Sequence, residues 1–149
     1  MKFTVSKTEI VKALSSTLGV VEKRQALPIL SNILLTVEDS NISITATDLE
    51  SEVQTTFTPT SVESTGSTTA PAKKLNELCR LLPDRSEITI FLNGDKLSVE
   101  SGSGKYSIST LPSEDFPVFD VVSESTEFTI LGSVLRNLIS KTSFAMGNQ

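Results

Sequence analysis

The feature that most constrains the fold of this 149-residue chain is that it repeats itself twice, at different scales. Between Ile33 and Val53 the apolar residues Ile33, Leu35, Val37, Ile42, Ile44 and Val53 each have an apolar counterpart 55 residues later, in Ile88, Ile90, Leu92, Leu97, Val99 and Ile108. The turn Glu38-Asp39-Ser40-Asn41 falls on Asn93-Gly94-Asp95-Lys96 at the same offset. Upstream, Val11, Leu14 and Leu18 have counterparts 64 residues later in Leu75, Leu78 and Leu82. The difference of nine residues reflects a longer helix-to-strand loop, "GVVEKRQALP", in the first copy. A wider repeat sets Phe3, Thr4 and Val5 on Phe128, Thr129 and Ile130, and Leu14 on Ile139, 125 residues on. One supersecondary unit is thus used twice within residues 1–125, and residue 126 opens another double unit.

Each unit reads as a strand, a helix and three strands. Lys2 to Val5 alternates, and Ser6-Lys7-Thr8-Glu9 fits a capping box ahead of a helix with Ile10, Leu14 and Leu18 on one stripe. In the second copy Pro71 suits a first helical position, Leu75, Leu78, Cys79 and Leu82 form the stripe, and Pro83 stops the helix. A three-strand meander follows each helix, with Asn93-Gly94 as the hairpin signal in the second. In the first, "DLESEVQTTF" alternates Leu49, Val53 and Phe57 against Asp48, Glu50, Glu52 and Gln54. "TPTSVESTGS" reads as a polar linker between the copies. The expected fold class is α+β, with two antiparallel sheets backed by two helices in residues 1–125, and residues 126–149 beginning a second domain with its first strand and helix.

Composition removes most chemistry. There is no histidine, and so no ordinary general base, zinc ligand or Ser/His or Cys/His pair. The single cysteine, Cys79, sits on an apolar stripe, excludes an internal disulfide and suits a reducing compartment. "SGSGKY" lacks the spacing of a phosphate loop, with Val99 where a glycine is needed and Tyr106 where Ser or Thr is needed, and reads as a turn. Asp48, Glu50 and Glu52 read as a solvent face rather than a cation site. No catalytic constellation, metal site or cofactor is expected. The first residues carry no apolar leader core and no stretch approaches a membrane span, so a cytoplasmic location is expected.

Charge is divided by element. The net charge is −5, yet residues 26–70 carry six acids and no base, and residues 83–132 carry nine acids against three bases. The bases gather on the helical segments: Lys7 and Lys12, Lys73, Lys74 and Arg80, Arg136 and Lys141. Basic helices beside acidic sheets attract a polyanion to one surface and repel it from the other.

In order and spacing, "LPILSNILL", "TATDLE", "PAKKLNELCRLLP", "STLPSEDFP" and "SFAMGNQ" resemble the beta subunit of bacterial DNA polymerase III, the sliding clamp, over the whole chain. The resemblance implies the DNA-clamp fold, a head-to-tail dimeric ring around duplex DNA, and no catalysis. By position it implies that Arg24, Lys73, Asn148 and Gln149 face DNA, and the helical pattern adds Lys12, Arg80 and Arg136. It also implies that "KYSIS" is an edge strand at the subunit interface, Tyr106 and Ile108 supplying apolar contact and Lys74, Lys96 and Lys105 meeting acidic residues opposite. The implied partners are sequence-independent double-stranded DNA, a second subunit, and the polymerase and clamp loader, these last mainly through regions beyond this chain. The rival classes are a surface β-rich binding module, which leaves the basic helices unexplained, and an enzyme domain, which the missing histidine disfavours.

Overall fold

The computed structural model describes residues 1–21, 27–119 and 127–146. The chain forms two units, Met1–Phe119 and Asp120–Gln149. The expected boundary at residues 125 and 126 lies outside the described residues.

In the first unit the order is β1 (Lys2–Ser6), α1 (Lys7–Thr17), β2 (Asn32–Val37), β3 (Ile42–Thr47), β4 (Glu52–Phe57), β5 (Ser61–Ser64), β6 (Gly66–Pro71), α2 (Ala72–Leu81), β7 (Glu87–Asn93), β8 (Lys96–Ser101) and β9 (Gly104–Ser109). Two antiparallel sheets result, in the orders β5-β1-β7-β8-β9 and β4-β3-β2-β6. The two repeats exchange their opening strands. β1 leaves its own meander to pair with β7, and β6 pairs with β2 of the first copy. Each sheet therefore holds residues of both copies, and neither copy can close its core alone.

Alternation decides which residues are inside. Phe3 and Val5 of β1, Ile33 and Leu35 of β2, Ile42 and Ile44 of β3, Ile88 and Ile90 of β7, and Leu97 and Val99 of β8 are all fully buried. Ile10 and Leu14 of α1 and Leu75 and Cys79 of α2 complete one continuous core. Each such aliphatic or aromatic side chain contributes about 1.5–3 kcal/mol of transfer free energy. Ser6 caps α1 by accepting the Glu9 amide at 3.3 Å, as the capping signal requires. A second device ties the segment after β9 to the four-stranded sheet. Asn32 Nδ2 donates to Thr69 Oγ1 at 2.9 Å, Thr69 Oγ1 donates to the Leu111 carbonyl at 2.9 Å, and the Leu111 amide donates back to Thr69 Oγ1 at 3.2 Å.

Several expectations are corrected. The supposed linker contains β5, which pairs with β1, and its last residues begin β6. Pro71 is the cap of α2 rather than its first residue. Asn93 pairs with Lys96, so the two-residue turn is Gly94-Asp95, with Gly94 at φ 62°. Leu49 does not share a strand face with Val53 and Phe57: it lies in the β3–β4 turn at φ 76° and is exposed. Asp48 makes that turn by accepting the Glu50 and Ser51 amides at 2.9 and 2.7 Å, which holds its carboxyl below the ordinary value. "SGSGKY" spans the β8–β9 turn, with Ser101 paired to Gly104.

In the second unit, α3 (Gly132–Thr142) repeats α1 residue for residue at the 125-residue offset. Residues 127–131, where the opening strand of this unit is expected, form no strand pairing among the described residues, and pairing is what makes a strand. Val134, Leu135, Leu138 and Ile139 form its exposed apolar stripe.

Candidate functional site

Two surfaces of the first unit carry the residues singled out by sequence. The first is the outer face of the helix pair. Lys12 is exposed on α1, and on α2 Lys74 and Arg80 are exposed while Lys73 is half-buried. Lys73 and Arg80, seven residues apart, share a side of α2 opposite the buried Leu75 and Cys79. Arg80 Nη2 donates to Ser15 Oγ of α1 at 3.0 Å, so the basic faces of the two helices are in contact. Glu77 lies exposed on the same helix, yet among the described residues it forms no ion pair with Lys73, Lys74 or Arg80. Arg136 is exposed on α3 of the second unit. Arg24, Asn148 and Gln149 lie outside the described residues.

The second surface is the free edge of the five-stranded sheet. Among the described residues β9 pairs only with β8, so one side of its backbone is open there. The two-residue turn makes Ser101 and Gly104 a hydrogen-bonded pair, and alternation then turns the amides and carbonyls of Lys105, Ser107 and Ser109 outward. The Thr110 amide, donating inward to the Asp95 carbonyl at 2.9 Å, keeps that alternation to the strand's end. Such a row templates another strand. Tyr106 and Ile108 lie on the sheet face shared with Val99 and Leu97; Ile108 packs against the core, whereas Tyr106 is 44% exposed. The Tyr106 ring covers Gly104 so closely that a Cβ there would sit 3.0 Å from Cε2. Lys96 and Lys105 lie on the opposite face, and Lys105 is already paired with Glu100 of its own sheet at 3.1 Å. Lys74 is carried by a different element, α2, where it is exposed.

Neither surface resembles a catalytic pocket. Among the described residues no group of three His, Cys, Asp or Glu side chains could hold a metal ion, and no helix is long and apolar enough to cross a membrane. Burial pushes the Cys79 thiol up to about 12, far from a nucleophile's range.

Sequence reasoning missed two features: the Thr69 tie between β6 and the segment after β9, and a cationic turn at Arg85. The first carries no periodic signal. The second was visible only as a helix stop.

Comparison with known proteins places these surfaces in a family. Residues 1–120 match the family described as DNA polymerase III beta subunit, N-terminal domain. The beta sliding clamp of Vibrio cholerae is 42% identical over all 149 residues, which cover 41% of that protein, and the beta sliding clamp of Escherichia coli K12 is 40% identical over the same span. A Vibrio harveyi beta sliding clamp sequence is 43% identical over 145 residues, 97% of this chain and 100% of that sequence. The crystal structure of the DNA polymerase III beta subunit from Pseudomonas aeruginosa superposes with a TM-score of 0.93 at 41% identity, covering 100% of this chain and 40% of that one. The Caulobacter crescentus polymerase III beta structure gives 0.94 at 35%, with the same coverage. The chain thus spans about two fifths of the Vibrio cholerae and Escherichia coli relatives. Fold, repeat and sequence agree that the chain belongs to the beta sliding clamp family, the beta subunits of DNA polymerase III.

Proposed function

We propose that this chain is the amino-terminal part of a sliding clamp, a processivity factor that encircles duplex DNA as a head-to-tail dimer and tethers the replicative polymerase. The observation that carries the reading is the contact between the basic faces of α1 and α2 through Arg80 and Ser15, on a protein of net charge −5 whose sheet segments are acidic. Lys12, Lys73, Arg80 and Arg136, with Arg24, Asn148 and Gln149, face the DNA. A ring holds DNA by topology, so these residues need only weak, exchanging phosphate contacts, and base readout would oppose sliding. Tethering raises the polymerase's effective concentration at the primer end, and no chemistry is asked of the clamp.

The open edge of β9 supports the second half of the reading. A strand from the partner subunit adds to Lys105, Ser107 and Ser109, Tyr106 and Ile108 give apolar contact, and Lys74, Lys96 and Lys105 meet carboxylates opposite. The Glu100 pairing means that Lys105 exchanges one carboxylate for another on association. Residues 1–125 form the first clamp domain and residues 126–149 open the second. Polymerase and clamp loader bind mainly through regions beyond this chain, and the protein works in the cytoplasm. In a full-length clamp, Lys73→Glu combined with Arg24→Glu is expected to weaken loading onto DNA while leaving the circular dichroism spectrum intact. Unchanged loading refutes the assignment of the DNA face.

A further inference from the structure

Between the start of α1 and the turn from α2 to β7 runs an open groove of ≈ 340 Å³, walled chiefly by Lys7, Thr8, Lys12, Ser15, Asp84 and Arg85. Lys7 staples the turn on both sides of residue 85. Its amide donates to the Ser86 carbonyl at 2.9 Å, and its ammonium donates to the Leu82 carbonyl and to Asp84 Oδ1, the latter at 2.8 Å. Asp84 is thereby neutralised by a lysine whose side chain is only 13% exposed, and not by the arginine beside it. Arg85 itself sits at φ 59°, in the left-handed region that side chains other than Gly, Asn and Asp rarely adopt. Among the described residues neither Arg85, Lys12 nor Arg80 is in an ion pair. The hydroxyl of Ser15, which accepts from Arg80, closes the far end.

We propose that Arg85 and Lys12, with Arg80 at the far end, form a phosphate-binding groove for the backbone of duplex DNA, extending the helix-face reading above and resting on it. Thr8, Lys12 and Ser15 share a face of α1 and span about 10 Å, which is about three phosphate steps along one strand. Small hydroxyls and unpaired cations satisfy phosphate oxygens without reading bases. The walls offer only Val11 as an apolar anchor, too little for a peptide, whose affinity depends on buried anchor residues.

The test is a ¹⁵N NMR titration of the 149-residue chain with a short DNA duplex at several salt concentrations, using Arg85→Gly, Arg85→Lys and, in parallel, Lys73→Ala. Glycine suits the left-handed backbone, so Arg85→Gly removes the charge without disturbing the turn. The expected result is shifts at Thr8, Lys12 and Ser15, an affinity about 3-fold lower for Arg85→Gly with a log–log salt slope shallower by about 0.9, and near-complete retention in Arg85→Lys. If Lys73→Ala weakens binding while Arg85→Gly changes neither affinity nor slope, the groove is overturned and the helix face stands. If neither variant has an effect, both fall. Binding of a polyglutamate peptide at the same residues as tightly as DNA overturns the assignment to phosphate.

Discussion

Leu75 and Leu81 offer a controlled comparison within one helix, because the same residue type stands fully buried at one position and 85% exposed at the other. Replacing Leu75 by alanine removes three carbons from a site in contact with the single core, about 2.4 kcal/mol at roughly 0.8 kcal/mol per carbon. The unfilled space adds to this, for a total of about 3–4 kcal/mol. Leu81→Ala changes only solvent-facing surface and helix preference, and costs under about 0.5 kcal/mol. The chain has no tryptophan, so urea unfolding is best followed by circular dichroism. With a slope of about 1.5–2 kcal/mol/M for a domain of this size, Leu75→Ala lowers the midpoint by about 2 M and Leu81→Ala leaves it in place. The reasoning fails if the two variants cost the same, or if Leu75→Ala costs less than about 1 kcal/mol, since α2 would then not be seated by its leucine stripe.

Two further outcomes follow from the same geometry. Cys79, with its thiol pushed up to about 12 by burial, is expected to resist a disulfide reagent near neutral pH until the protein unfolds; rapid modification of the folded chain contradicts its place in the core. Asp84 is held below its ordinary value of 3.8, first by the Lys7 hydrogen bond and then by the Lys7 charge. A depressed carboxyl stabilises the fold above its unfolded value and loses that effect as pH falls through the folded one. The stability difference between wild type and Asp84→Asn should therefore be present between about pH 5 and 7 and close below 3.8. A gap that widens in acid contradicts the staple.

Repetition made the fold legible. The offsets of 55, 64 and 125 residues located both meanders and the three helices. What repetition does not encode is partnership. Alternation tells which side chains of β1 are buried but not which neighbour supplies its hydrogen bonds, so the exchange of opening strands between sheets stayed hidden. β5 escaped because Ser61-Val62-Glu63-Ser64 has one half-buried apolar residue and is held by its backbone pairing to β1. Leu49 was misread because the alternation of β4 runs on numerically through a turn. The signal that breaks it is Asp48, an aspartate two and three residues before the amides it binds. At the candidate site, Lys12, Lys73 and Arg80 could be found by helical spacing, and the edge strand by resemblance. Arg85 could not, because the physical facts that matter there are a left-handed backbone and a lysine 78 residues earlier that occupies its acidic neighbour.

The central claim is that this chain is part of a protein that holds DNA by enclosing it. The most direct measurement loads the full-length protein onto a nicked circular duplex and compares retention before and after the circle is cut. A ring is expected to stay on the circle at salt concentrations that abolish phosphate contacts, and to be lost once the DNA has ends. Equal retention on circular and linear DNA, falling together as salt rises, would mean that the basic helices bind DNA as an open surface and that no enclosure takes place.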